Sequence, residues 1–154
     1  MAYAEGTSVA PERSQQEIAQ LVRKYGAAGF MSGWDEGIAV VMFHAHGRQV
    51  RFTLELPTDW HEFIFTPSKQ RRTGPGAKGA LDAEVRRRWR ALALAIKAKL
   101  ECVETGISTF EHEFAMNIVL PTGQTVAEVV LPAINTAYAG GHVPPLLGIT
   151  AGTS

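Results

Sequence analysis

Residues 82–104 read DAEVRRRWRALALAIKAKLECVE, and their apolar side chains recur at one period. Val85, Trp89, Leu92, Ile96, Leu100 and Val103 follow at intervals of four, three, four, four and three, the spacing that keeps side chains on one face of an α-helix. The stretch predicts an amphipathic helix of about six turns, the spine of a domain. A stripe of small residues, Ala91, Ala95, Ala98 and Cys102, lies away from the flank that carries Arg86, Arg90 and Lys97. Small side chains admit a close neighbour, so the helix is expected to be covered on two sides and wet along its basic ridge. The stripe fits either an intrachain contact or a helix-to-helix seam in a homo-oligomer.

Upstream the period changes to two. In RQVRFTLEL, residues 48–56, Val50, Phe52, Leu54 and Leu56 alternate with polar residues, which predicts a half-buried strand. The run IAVVMFHAH before it supplies a partner through a two-residue turn at His46-Gly47, pairing Phe43 with Val50, Val41 with Phe52 and Ala39 with Leu54. Asp35-Glu36-Gly37 suits a three-residue loop that would pair Trp34 with Ile38, Ser32 with Val40 and Phe30 with Met42. In that register the second sheet face carries Phe30, Trp34, Val40, Met42, His44, Arg51 and Thr53. The expectation is an α+β fold: a three-stranded antiparallel β-meander packed on the long central helix, with shorter flanking helices.

The remaining segments complete a single domain over 14–141. Residues 1–13 read as a disordered arm, and Ser14-Gln15-Gln16-Glu17 as a capping box opening a helix over 15–25 that Gly26 stops. WHEFIFTP (60–67) reads as an extended edge segment and 67–80 as a flexible basic loop. Ser108-Thr109-Phe110-Glu111 starts a short helix to about Asn117, and Thr125 with Glu128 starts another that ends near Tyr138 and is kinked at Pro132. A hairpin over 113–131 competes with these helices, because Phe114, Met116, Ile118 and Leu120 also alternate. The tail 142–154, with Pro144-Pro145, reads as a stiff apolar piece folded back on the body.

Composition sets the class. The chain has 154 residues, 45% hydrophobic and 19% charged, which suits one soluble globular domain. Apolar runs fall short of the ~20 residues of a membrane span, and no basic segment precedes an apolar one as in a secretory signal; a cytoplasmic protein is expected. The single Cys102 is expected to be buried and inert. A formal charge of zero conceals segregation: residues 67–100 hold ten basic and two acidic residues, a net of +8 that the rest of the chain balances. Such a face attracts polyanions, although pairing of the opposite charges across the fold accounts for the same pattern.

Catalytic motifs are missing. The sequence has no G-x-S-x-G, H-E-x-x-H, P-loop or C-x-x-C pattern, and the glycines of 74–79 lack the lysine and hydroxyl of a phosphate loop. His44 and His46 are spaced so that two strand histidines share a metal ion, but no carboxylate or cysteine stands beside them, so no metal ligands and no cofactor are assigned. The pattern best matched is an interface for nucleic acid, single-stranded DNA above duplex: Lys69, Arg71, Arg72, Arg86, Arg87 and Arg90 on the phosphates, with Arg51, Trp34 and Phe30 on a sheet face where bases stack. A covered sheet face would make Phe30 and Trp34 ordinary core.

RRRWRALALAIKAKLECVETGISTFEHEF, followed by IVLPTGQTVAEVVLPAINTAYAGGHVPPLL, resembles uncharacterised small proteins of tailed bacteriophages, prophages and related mobile elements. The resemblance covers about Ser14 to the PPLL tail and carries no catalytic motif. It implies a setting among DNA replication or recombination genes, or among accessory genes that counter host defences. The expectation is therefore a non-enzymatic nucleic-acid-binding protein. The alternatives are a small inhibitor or adaptor that binds a host or phage protein through exposed aromatics, the tail or an acidic face, and a metal-dependent enzyme built on the histidines.

Overall fold

His46 and Gly47 both adopt positive φ, 53° and 71°, the geometry a two-residue hairpin turn requires. The structure, a computed structural model, describes residues 2–142, with side chains in the first helix from Pro11 onward. The order is α1 (Ala2–Lys24), β1 (Gly29–Asp35), β2 (Ile38–Ala45), β3 (Arg48–Glu55), α2 (Gly74–Glu104), α3 (Phe110–Phe114) and α4 (Val126–Gly140). The strands form one antiparallel sheet in the order β1-β2-β3. This is the α+β meander and central helix expected from the pattern.

The β2–β3 register is the expected one, with Phe43 opposite Val50, Val41 opposite Phe52 and Ala39 opposite Leu54. These residues face the helices. Phe43 and Phe52 meet Phe114 edge-on at 5.7 and 6.2 Å between ring centres. Trp89, Ile96 and Leu100 of α2 and Ile18 and Val22 of α1 complete the core. Each such fully buried large side chain contributes about 1.5–3 kcal/mol.

The β1–β2 register differs from expectation by one residue. The turn contains only Glu36 and Gly37, so Asp35 pairs with Ile38, Trp34 with Ala39, Ser32 with Val41 and Phe30 with Phe43. Gly37 takes φ 77°, and the Asp35 carboxylate accepts the Glu36 N–H at 2.7 Å, which closes the tighter turn. Side chains alternate with period two, so this single residue turns the whole of β1 over. The observed register sends Phe30 toward the core. The expected one would have sent Met31 and two glycines there.

Helices extend further than their local signals. α1 runs through residues 2–13, expected as an arm, and Ser14, expected as an N-cap, is a buried residue inside it. Around Ser14, Pro11, Glu12 and Gln15 line one pocket with Trp34, Val85 and Trp89, and Ser32 donates to Gln15. α2 starts at Gly74, with Thr73 as N-cap and a proline in its first turn, so half of the expected flexible loop is helix.

The segment before α2 is ordered as well. Trp60–Phe63 form a 3₁₀ turn rather than an extended edge, because the Asp59 carboxylate takes the His61 N–H. A tight loop follows, closed by Arg72 N–H to the Ile64 carbonyl and Gln70 to Thr66.

Past α2, Ala115–Asn117 form a 3₁₀ turn after α3, and Ile118 bridges to Val50 at the edge of β3. The helical reading of 113–131 therefore holds over the hairpin. The Thr125–Glu128 capping box is present in both directions. Apart from His142, the tail 142–154 lies outside the described residues.

Candidate nucleic-acid interface

The register change separates the aromatic and basic groups that were expected together. Phe30 is half-buried against the core, and Trp34 is on the helix-facing side of β1, at its end, where its ring is 76% exposed. Arg51 is on the opposite face, across from Met42, where the neighbouring β1 positions are Met31 and Gly33. The outer face thus presents Met31, Ile38, Val40 and Met42 and no aromatic ring of β1. Stacking of bases on a sheet platform with Arg51 is withdrawn as a geometry.

Several expected phosphate ligands are engaged inside the protein. Arg87 donates to both oxygens of Glu84 at 2.7 and 2.6 Å, and Arg88 donates to Glu84 and to the Glu55 carbonyl. The Arg87 hydrogen bonds first, then those of Arg88, hold the Glu84 carboxyl down at about 2. The same pairing raises the Arg87 pKa. Arg51 pairs with Glu128 at 3.2 Å. Arg72 donates to the Phe63 and Phe65 carbonyls and so braces its own loop. Lys99 donates to the Glu113 carbonyl and Lys78 stands over the Trp60 ring.

Lys69, Arg71, Arg86, Arg90 and Lys97 make no ion pair among the described residues. Arg86, Arg90 and Lys97 are spaced by four and seven, which keeps them on one stripe of α2. Arg90 and Lys97 border an open groove of about 520 Å³ between α1 and α2, with Lys24 on the α1 side and Glu17 and Glu101 among its other walls. Lys97 and Lys24 were absent from the expected set. The spacing from Arg90 to Lys97 pointed to the first, whereas only packing of the two helices brings Lys24 there.

Other features settle elsewhere. Among the described residues nothing covers the small stripe on α2: Ala91, Ala95 and Ala98 are exposed and Cys102 is only half-buried. The expected cover on that side is therefore corrected, because α1 packs along the Ala93 flank instead. His46 stacks on Phe110 at 4.4 Å, His61 pairs with Asp59, and among the described residues no three His, Cys, Asp or Glu side chains gather as a cation site. Among those residues no helix is long and apolar enough to cross a membrane. Comparison with protein families, curated proteins and solved structures finds no match.

Proposed function

We propose that this protein works by binding rather than catalysis, and that its ligand is a nucleic acid held by the phosphates. The observation that carries this reading is the stripe Arg86–Arg90–Lys97, without an ion pair among the described residues, of which Arg90 and Lys97 share a groove with Lys24. The resemblance to phage proteins supports a setting in the bacterial cytoplasm, in DNA replication or recombination. Phosphate contacts position a protein without reading bases, so single strands and duplex are both to be tested.

Fluorescence anisotropy with labelled single- and double-stranded DNA tests it. Four neutralised phosphates give a slope of log affinity against log salt near about −3 on single strands. Replacing Arg86, Arg90 and Lys97 by Ala should remove most of that slope, while Arg87→Ala, whose guanidinium is occupied by Glu84, should leave binding nearly unchanged. Absence of salt-dependent binding would remove the reading.

A second reading rests on Trp34. Its exposed ring borders a pocket of about 270 Å³ walled by Leu56, Pro57, Val85 and Trp89, with Glu12, Asp35 and Glu36 at its edge. An exposed tryptophan among carboxylates suits an inhibitor or adaptor that docks on a basic protein. Trp34→Ala should then abolish that docking and leave DNA affinity intact, as followed by pull-down against a basic partner and by anisotropy.

A further inference from the structure

α4 has the sequence VAEVVLPAINTAYAG, yet none of its residues is buried. Leu131 is 50% exposed and Tyr138 90%, and with Val130 and Ile134 they follow a helical spacing that makes one continuous apolar face. Among the described elements the helix packs chiefly against the Ala115–Asn117 turn. The connection into α4 is closely bonded, with Val119 N–H to Gln49, Leu120 to Gln124 and Val126 to Ile118. Glu128 of its first turn is fixed to Arg51. These bonds and this ion pair hold the first turn of α4 beside β3, and no strand is among the elements against which the helix chiefly packs.

That sheet has a complementary vacancy. Its outer face carries Met31, 62% exposed, with Ile38, Val40 and Met42, and no helix lies over it. A strand of eight residues is about 26 Å long, and three strands span about 10 Å. A helix of 15 residues is about 22 Å long and about 10 Å wide, so one such helix covers one such face.

We infer that the protein forms a twofold dimer in which α4 of each copy lies across the outer sheet face of the other. Reciprocal cover of these side chains removes on the order of 700 Å² from each copy, close to the ~800 Å² per partner of a stable interface. The chain's formal charge is zero, so two copies meet without net repulsion. The only charge on α4, Glu128, is already paired with Arg51, so the helix brings no unpaired charge to the contact. The contact is isologous and closes on itself, which limits assembly to two.

The test is molar mass by light scattering on the full chain, for the wild type, Ile134→Glu on the helix and Met31→Lys on the sheet. Expected are twice the chain mass for the wild type, the chain mass for each variant, and a restored pair when the two variants are mixed, since one helix–sheet contact is then intact. A monomeric wild type overturns the inference. So does a Met31→Lys protein that stays dimeric, which would place the seam between helices, or an Ile134→Glu protein that stays dimeric. A mixture that stays monomeric overturns it too. Far-UV circular dichroism checks that each variant is folded, and Tyr138→Glu replaces Ile134→Glu if that variant is not.

Discussion

Glu84 illustrates how one side chain removes charge from an apparent patch. It stands three and four residues before Arg87 and Arg88, and the two hydrogen-bonded pairs occupy both guanidinium groups. Its pKa lies at about 2 in the folded protein, below the ordinary carboxylate value of 4.5. A carboxylate depressed on folding adds stability that is complete above its unfolded pKa and is lost as pH falls through the folded one. Thermal midpoints of wild type and Glu84→Gln should therefore differ at neutral pH, the wild type being the higher by a small margin because solvent screens the pair, and converge between pH 4.5 and about 2. The two tryptophans of the pocket make the opposite contrast. Trp89 is 1% exposed, and its replacement by Ala should destabilise by about 3–5 kcal/mol in denaturant titration. Trp34→Ala, with its ring largely in solvent, should change stability by about 0.5 kcal/mol or less.

At the scale of elements, short signals worked where the packing agreed with them. The Thr125–Glu128 box caps α4 with both reciprocal bonds, at 3.2 and 3.1 Å, and Thr125→Ala should cost about 1 kcal/mol in a denaturant titration. The Ser14 box carried the same local preference, yet Ser14 is buried within α1, on the side that packs along α2. A cap is worth about 1 kcal/mol, which a few buried contacts exceed. The β1 register shows the same competition. Asp35-Glu36-Gly37 accommodates loops of two or three residues, and the burial of Phe30 opposite Phe43 selects the shorter. Phe30→Ala should lower the thermal midpoint, because it removes the side chain half-buried opposite Phe43, while a conservative Gly33→Ala, which meets nothing within 4 Å, should not.

For the whole molecule, zero formal charge and a sequence pI near 7.0 predict least solubility at neutral pH, rising on either side. Precipitation by polyethylene glycol across pH 5–9 measures this, and the Ile134→Glu variant should be the more soluble at pH 7. Much of the architecture was legible in advance. The six apolar positions of α2 and the alternation of β2 and β3 are periodic patterns that only one backbone geometry satisfies, and the His46-Gly47 turn ties the strands in one register. The candidate site was legible only in its local part, the Arg86–Arg90–Lys97 stripe along one helix. Charge segregation counted Arg72, Arg87 and Arg88 among its cations; the Glu84 pairing of Arg87 and Arg88 follows from spacing along α2, whereas the Phe63 carbonyl on Arg72, the Glu55 carbonyl on Arg88 and Glu128 on Arg51 become known only when the segments meet. Sequence by itself determined the body of α2 and the strands β2 and β3, because periodicity is a local property of the chain. Tertiary structure alone decided which face of β1 looks inward, that Arg51 is spent on Glu128 and that no described element covers the apolar face of α4, because each depends on contacts between residues far apart along the chain.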